Sequence, residues 1–327
     1  MTISIVIATY NRGALLTDCL RNLADQRFEA GDEVVVVDNG STDSTPRLIE
    51  ATRARFAVPV RHLTETRPGK SLAIEAALRV ATGDVLAFTD DDVTVDVEWL
   101  STLRRIMRDS DAALVGGPVL PRWETAPPRW LRFDASEYGR LAAPLGLLNY
   151  GAASVDLGPR TVLGANMAIR RTSINKVGGL AQHLGKLRGT LLSGEDHELC
   201  QRVQAAGFKA IYHPELRVAH WVPAERMRAS YSISWFFWSG ITHAILDAGS
   251  AGAPPSPLGV PRHFFKRALT SGIRGIGAAV LGRSPRVMDS ATDVAFVAGY
   301  AARRWKLTGD VKAATAPPSP RSAEVQP

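Results

Sequence analysis

The first 110 residues repeat one pattern four times, in which a short β-branched run is followed by a polar loop and an amphipathic helical stretch. The pattern predicts strands at residues 3–8, 33–37, 58–63 and 85–89, and helices at residues 12–24, 46–56, 71–81 and 97–109. Alternating strands and helices indicate an α/β fold with a mostly parallel sheet flanked by helices. Ligands of such sheets bind beyond the carboxyl ends of the strands, where Asp38 and Asp90 lie.

Beyond residue 115 the regular alternation ends. Residues 116–159 are rich in Pro, Trp and Gly and are predicted to form an inserted loop region. The remaining predicted elements are strands at 163–170, 208–212 and 216–220, a short helix near Ser173, and helices at 195–206 and 231–246. A Gly/Pro/Ser-rich linker, residues 248–261, leads into a helical tail, residues 262–312, and residues 313–327 are predicted to be disordered.

The positive charge of the chain is concentrated in this tail. The 327 residues carry a net charge of +7, yet residues 1–260 contain 28 Lys or Arg and 28 Asp or Glu, whereas residues 261–327 contain 11 and 4. We therefore predict no nucleic-acid partner, because the body of the chain is neutral. A hydrophobic content of 45% excludes a disordered or collagen-like chain, and two cysteines without a metal-binding spacing favour a reducing compartment.

Three consecutive aspartates, Asp90, Asp91 and Asp92, follow the fourth predicted strand. Adjacent carboxylates repel one another, and a divalent cation that carries an anionic ligand relieves this repulsion. An all-oxygen cluster suits Mg²⁺ or Mn²⁺ with a diphosphate. A solvated acidic turn or a helix N-cap is the alternative interpretation of the same residues.

Five motifs occur in an order that resembles the family 2 glycosyltransferases of the GT-A fold. They are residues 4–12 (SIVIATYNR), 35–45 (VVVDNGSTDST), 69–73 (GKSLA), 89–92 (TDDD) and 194–199 (GEDHEL). The resemblance covers about residues 1–220. It implies a GT-A-like sheet with a C-terminal helical appendage. It does not specify the donor sugar or the acceptor.

The resemblance assigns seven residues to the nucleotide-sugar donor, namely Thr9, Tyr10, Asp38, Arg67, Lys70, Asp90 and Asp91. Asp38 would contact the base, typically uracil, and Arg67 and Lys70 would lie near the diphosphate. Asp92, Asp90 and His220 would form the site of a Mn²⁺ or Mg²⁺ cofactor, with Asp90 facing the ribose or a metal-bound water. The alternatives are a loop-capping Asp38, a surface Lys70 and a structural His220.

The resemblance also assigns the catalytic and acceptor residues. Asp196 would be the general base, with Glu195 beside it. Asn166, Trp123 and Trp130 would contact the acceptor. The alternatives are that Glu195 or Asp196 caps the helix that begins there, and that the two tryptophans pack in the core.

These roles imply an inverting, metal-dependent glycosyltransferase of polysaccharide or glycoconjugate biosynthesis. It would move a sugar from a nucleotide-diphosphate donor, expected to be UDP-linked, to a saccharide or lipid-linked acceptor. Residues 1–115 would bind the donor, and residues 116–247 would bind the acceptor and carry the base. The alternative is a non-catalytic sugar-nucleotide-binding or scaffold protein with a degenerate glycosyltransferase fold.

The sequence of the tail indicates a location in the cell. Phe265, Leu269, Ile273, Ile276 and Val280 recur every three or four residues and form one apolar stripe of a basic helix. Such a helix favours a peripheral position on an anionic membrane surface, at its cytoplasmic face, because the N-terminus shows no signal peptide. The alternative is that the helix docks on the body or, in a homodimer, on a second subunit.

Overall fold

The computed structural model of the chain describes residues 1–131, 137–182, 184–185, 190–249, 259–282 and 284–308. The strands are β1 (Ile3–Thr9), β2 (Glu33–Asp38), β3 (Val60–Thr64), β4 (Val85–Asp90), β5 (Val93–Val95), β6 (Leu114–Gly116), β7 (Val119–Trp123), β8 (Val155–Asp156), β9 (Asn166–Arg170), β10 (Ala210–Tyr212) and β11 (Val218–Val222). The α-helices are α1 (Gly13–Ala24), α2 (Thr45–Arg53), α3 (Lys70–Val80), α4 (Trp99–Asp109), α5 (Arg171–Val177), α6 (Glu195–Ala205), α7 (Ala229–Gly249), α8 (Arg262–Val280) and α9 (Ser284–Arg304). Two short 3₁₀ helices cover Arg140–Leu145 and Ala224–Met227.

The central sheet has the strand order β3-β2-β1-β4-β9-β6-β10-β8. The first four of these strands are parallel, and β9 runs antiparallel between β4 and β6. All six residues of β2 are buried, as expected for a strand covered on both faces. The prediction of an α/β sheet flanked by helices is confirmed.

The strand register brings the ends of three strands together. Thr9 of β1 pairs with Asp38 of β2, and Ala8 pairs with Asp90 of β4. The loops that follow these strands therefore emerge at one edge of the sheet. This edge is where the α/β pattern predicts the ligand site.

A second sheet, with the order β5-β11-β7, corrects the prediction of a plain loop region at residues 116–159. Strand β7 begins only three residues after β6. It pairs with β11, which lies almost 100 residues further along the sequence. Strand β11 also pairs with β5, so that His220 is opposite Val93. This pairing places His220 next to the three aspartates.

The C-terminal helices pack as a layered unit on the body. Helix α7 contacts both 3₁₀ helices and α9, and α8 contacts α9. Glycines allow the close approach of α7 and α9, because a Cβ on Gly240 would overlap the Phe296 carbonyl oxygen and one on Gly299 would overlap that of Phe237. Phe236 and Tyr300 are buried in this layer. Helix α7 is covered by α9.

Parts of the predicted tail lie outside the described residues, including linker residues 250–258 and residues 309–327. Among the helices that are described, none is both long enough and apolar enough to cross a membrane.

Candidate active site

The loop after β1 reaches the acidic cluster. Arg12 Nη1 donates hydrogen bonds to Asp91 Oδ1 at 2.9 Å and to Asp92 Oδ2 at 2.7 Å, and the Thr9 hydroxyl donates to Asp91 Oδ2 at 2.8 Å. Burial raises the pKa of Asp91, although Arg12 opposes the effect. The sequence-based interpretation missed Arg12. Its signal was its place as the last residue of the motif at residues 4–12, directly after β1, which lies beside β4 in the sheet.

Lys70, the first residue of α3, connects two groups of carboxylates. Its ammonium donates to Asp90 Oδ1 at 2.5 Å. Burial alone would lower the pKa of Lys70, but the charges of Asp90, Asp196 and Glu195 raise it above its usual value. The structure therefore places Lys70 inside the site and not on the surface.

Asp92 and His220 face each other, with 3.3 Å between Asp92 Oδ1 and His220 Nε2. Asp92 Oδ1 and His220 Nδ1 are buried and have no hydrogen-bond partner. Burial would raise the pKa of Asp92, but His220 and Arg12 outweigh it and hold the pKa below its usual range. Gly146 lies against the His220 ring, since a Cβ there would be 3.2 Å from its Cε1.

A divalent cation at this point would need several oxygen or nitrogen donors directed at one position. In the described part of the chain, no group of three or more His, Cys, Asp or Glu side chains is already arranged to hold a metal ion. The orphaned Asp92 Oδ1 and the adjacent His220 imidazole are nevertheless donors of the kind that Mn²⁺ accepts. Two protein donors and the oxygens of a diphosphate would suffice, so the residues fit the ion in chemistry.

Asp196 lies in the first turn of α6. Its Oδ2 accepts a hydrogen bond from the Gly164 backbone N–H at 2.8 Å, and its buried Oδ1 has no partner. Burial and the charge of Glu195 raise the pKa of Asp196 to about 7, against the opposing effect of Lys70. The N-cap residue of α6 is Gly194, so neither acidic residue occupies the capping position. Asp196 thus has one free oxygen and a pKa suited to accepting a proton near neutral pH.

Lys70, Asp90, Asp196 and His220 line one cavity of about 250 Å³. The other charged and polar lining residues outside α7 are Thr161, Ser193, Glu195, His197 and Arg226. Helix α7 supplies another wall, with Tyr231, Trp235, Ser239, Thr242, His243 and Leu246. The sequence-based interpretation also missed Arg226, which is one of two arginines in the Pro-containing segment at residues 222–229.

The loops after β2 and β3 are tied together beside this cavity. Asp38 Oδ1 accepts a hydrogen bond from the Ser41 N–H at 2.9 Å, which is the loop-capping contact of the alternative interpretation. Asn39 donates to the carbonyls of Glu65 and Arg67 and accepts from the Gly69 N–H. A second aspartate at position 39 could not make these two donations. Arg67 pairs with Glu65 and is largely exposed, and Tyr10 lies at the surface.

The residues predicted to bind the acceptor lie elsewhere. Asn166 is fully buried. Its side-chain N–H groups donate hydrogen bonds to the Pro118 and Leu216 carbonyls, and its side-chain oxygen accepts one from the Trp99 indole N–H. Trp123 and Trp130 pack against a separate apolar cluster that includes Leu145 and Val222. None of these three residues lines the cavity. Their contacts are structural and do not favour the predicted role.

Comparison with known proteins identifies the family. Residues 4–178, just over half of the chain, match glycosyl transferase family 2. The chain belongs to this family. Its region of similarity includes the first four motifs and ends before α6, so α6 and α7 lie beyond it.

Two curated relatives of this family 2 glycosyltransferase extend the similarity. The succinoglycan biosynthesis protein ExoM of Rhizobium meliloti is 31% identical over 252 residues, which cover 76% of each chain. Glucosyl-dolichyl phosphate glucuronosyltransferase of Haloferax volcanii is 26% identical over 251 residues, covering 76% of this chain and 78% of the relative. The chain is thus a glycosyltransferase of glycan biosynthesis.

Solved structures confirm the GT-A fold. The mannosyltransferase PcManGT from Pyrobaculum calidifontis, in complex with GDP-Man and Mn²⁺, matches with a TM-score of 0.64 and 20% identity over 93% of this chain and 87% of that chain. GalNAc-T7 with UDP, GalNAc and Mn²⁺ matches with a TM-score of 0.52 and 17% identity over 77% of this chain and 52% of that one.

Proposed function

We propose that this glycosyltransferase takes a sugar from a nucleotide-diphosphate donor, UDP-linked, and transfers it with inversion to a saccharide or lipid-linked acceptor. The observation that carries the proposal is the meeting of Asp196 with the Lys70–Asp90 pair in one cavity. A proton acceptor and an array of cations are what a displacement at an anomeric carbon requires. Residues 1–115 would hold the donor, and residues 116–247 the acceptor and the base.

The base step follows from the state of Asp196. Its unpartnered Oδ1 accepts the proton of an acceptor hydroxyl while that oxygen bonds to the anomeric carbon. The bond from the anomeric carbon to the diphosphate oxygen breaks on the opposite side, so a single displacement inverts the configuration. The adjacent Glu195 keeps the proton affinity of Asp196 high.

Positive groups would receive the departing diphosphate. Lys70 and Arg12 form ion pairs with the three aspartates and offset part of their charge, and Arg226 is a buried cavity residue that makes no salt bridge among the described residues. We assign Arg226 to the diphosphate, because a buried guanidinium that makes no direct salt bridge among the described residues favours an anionic ligand. Asp92 and His220, with Asp90 nearby, would hold Mn²⁺ or Mg²⁺, and the ion when bound would offset the charge on the leaving group.

Nucleotide binding is the first test. We expect UDP with Mn²⁺ to raise the melting temperature by about 5 to 10 °C at a concentration near 100 times its Kd, and GDP to raise it less. Asp92→Asn should lose the Mn²⁺-dependent part of the shift, because the variant lacks an anionic ligand, whereas Glu98→Gln on the exposed surface should retain it. A full shift in Asp92→Asn would mean that other residues hold the ion.

Catalysis needs a separate measurement, because a degenerate protein could still bind nucleotides. We expect slow Mn²⁺-stimulated release of UDP from at least one UDP-sugar without added acceptor. Saturable UDP-sugar binding without hydrolysis or transfer would favour the non-catalytic alternative.

We also propose that α8 rests on an anionic membrane surface. Its apolar stripe faces away from α9 and is exposed, whereas Ser271 and Ala278 on the other side are buried. The sequence of α8 contains four Lys or Arg and no acidic residue, and three of the four, Arg262, Lys266 and Arg274, remain after Arg267 pairs with Asp293 of α9. Exposed apolar side chains flanked by basic ones are complementary to an anionic lipid surface.

Replacing Ile276 with Glu should weaken binding to phosphatidylglycerol vesicles by at least about tenfold, because it adds a negative charge and removes an inserted side chain. Val97→Glu on the body is a matched control, since Val97 is 68% exposed and Ile276 is 70% exposed. Cosedimentation measures both. Equal losses in the two variants, or dimerisation through α8 without vesicle binding, would contradict the proposal.

A further inference from the structure

Helix α7 presents one face to the catalytic cavity along most of its length. Besides His243, this face comprises Tyr231, Trp235, Ser239, Thr242 and Leu246, which are spaced by three or four and so lie on one side of the helix. From the first to the last they extend about 22 Å. We call this set the α7 wall.

The ends of the α7 wall lie near the two reacting groups. At one end, the charge of Arg226 acts on the phenol of Tyr231, whose pKa is raised by burial. One helical turn before the other end, Thr242 lies against Gly194, the residue before the acidic pair, because a Cβ on Gly194 would be 2.8 Å from Thr242 Cγ2. The wall therefore runs from the cation proposed for the diphosphate to the proposed base, and Trp235 and Ser239 lie between them.

The composition of the cavity indicates what it binds. Trp235 offers an indole that is only partly buried, and aromatic rings pack well against the C–H faces of sugar rings. One helical turn beyond Thr242, Leu246 continues the wall, and Leu163 and Pro144 add further apolar surface. A free polar sugar would leave these apolar groups without a partner, whereas a sugar joined to an apolar group would cover them.

We infer that the α7 wall is the acceptor-binding surface, that Trp235 stacks on the acceptor's sugar ring, and that the acceptor is a saccharide carrying an apolar aglycone. The inference rests on the proposed transfer reaction and names its acceptor class. It replaces Trp123 and Trp130 with Trp235, because those two side chains pack in a separate cluster.

Alkyl glycosides test the inference directly. We would titrate the full chain, with UDP and Mn²⁺ present, with octyl β-glucoside, β-galactoside and β-mannoside below their micelle concentrations, and with the matching methyl glycosides. Isothermal titration should show at least one octyl glycoside binding about tenfold or more tighter than its methyl counterpart, because the octyl chain buries apolar surface. Trp235→Ala should weaken that binding by at least about tenfold, and Trp235→Phe should restore most of it.

Trp238→Ala is the matched control, because Trp238 is on the same helix but does not line the cavity. It should keep both glycoside and UDP affinity. Unchanged glycoside affinity in Trp235→Ala, equal affinity for octyl and methyl glycosides, or no glycoside binding by the wild-type chain would each overturn the inference. UDP binding, measured in the same samples, distinguishes failure of this inference from failure of the proposed function. If the proposed function were wrong, the wild-type chain would not bind UDP.

Discussion

Replacing Asp196 with Asn should reduce sugar transfer by about 10² to 10⁴-fold while UDP and Mn²⁺ still bind. The amide keeps the shape of the side chain but cannot accept the proton of an acceptor hydroxyl. Glu198→Gln is the matched control, because Glu198 is on the same helix and pairs with Arg202 outside the cavity. Transfer by Asp196→Asn at more than about a tenth of the wild-type rate would exclude Asp196 as the base.

The pH dependence of sugar transfer and of thermal stability, compared between wild type and Asp196→Asn, is a second measurement of the role of Asp196. In the wild type, transfer should increase with pH and level off above about pH 7, the value to which burial and Glu195 raise the pKa of Asp196. The folded pKa is above the unfolded one, so the stabilising contribution of the neutral carboxyl is complete below the unfolded pKa and is lost as pH rises through about 7. Asp196→Asn should therefore melt higher than wild type at about pH 8, and the difference should shrink toward about pH 5.

Replacing Gly240 with Ala should lower the stability of the chain by about 1 to 3 kcal/mol and abolish glycoside binding. The added Cβ would overlap the backbone of α9 at Phe296 and Tyr300, so the helices must separate and the α7 wall must move. Melting temperature and glycoside affinity measure the two effects. UDP binding should persist, because the donor loops belong to the central sheet.

Gly272→Ala and Gly277→Ala provide controls of the same chemistry. Both glycines lie in α8, and a Cβ at either would meet no atom within 4 Å. Alanine there should stabilise the chain by about 0.5 to 1 kcal/mol, because it favours the helix. If Gly240→Ala behaved like these controls, the close packing of α7 on α9 would be wrong.

The half of the fold that we propose to bind the donor follows from local sequence patterns. Strands β1, β2 and β4 are continuous apolar runs with polar residues at their ends, so both the sheet and the position of Asp38 and Asp90 are predictable. The position of Lys70 is harder to predict, because the first residue of a helix lies at the surface as often as it lies in a site. Only its contact with Asp90 shows that it belongs to the site.

The rest of the candidate site depends on contacts between distant residues. Arg12 binds aspartates about 80 residues away, and β11 pairs with β5 and β7 across more than 90 residues. Contacts over such distances in sequence cannot be predicted from local periodicity. Helix α7 is apolar on all sides, so its pattern cannot show which face lines a cavity and which meets α9. The aromatic residues of the insert were therefore the better candidates from sequence alone.

The glycine contact between α7 and α9 also has a consequence for protein engineering. Because the two backbones touch at Gly240 and Gly299, a side chain that widens one helix must be matched by a change in the other. An acceptor-exchanging chimaera with a relative should therefore exchange α7 and α9 together, although they are separated by α8 in the sequence. The donor-binding strands could remain unchanged, so the fold offers two recombination blocks with a boundary that the order of residues alone does not reveal.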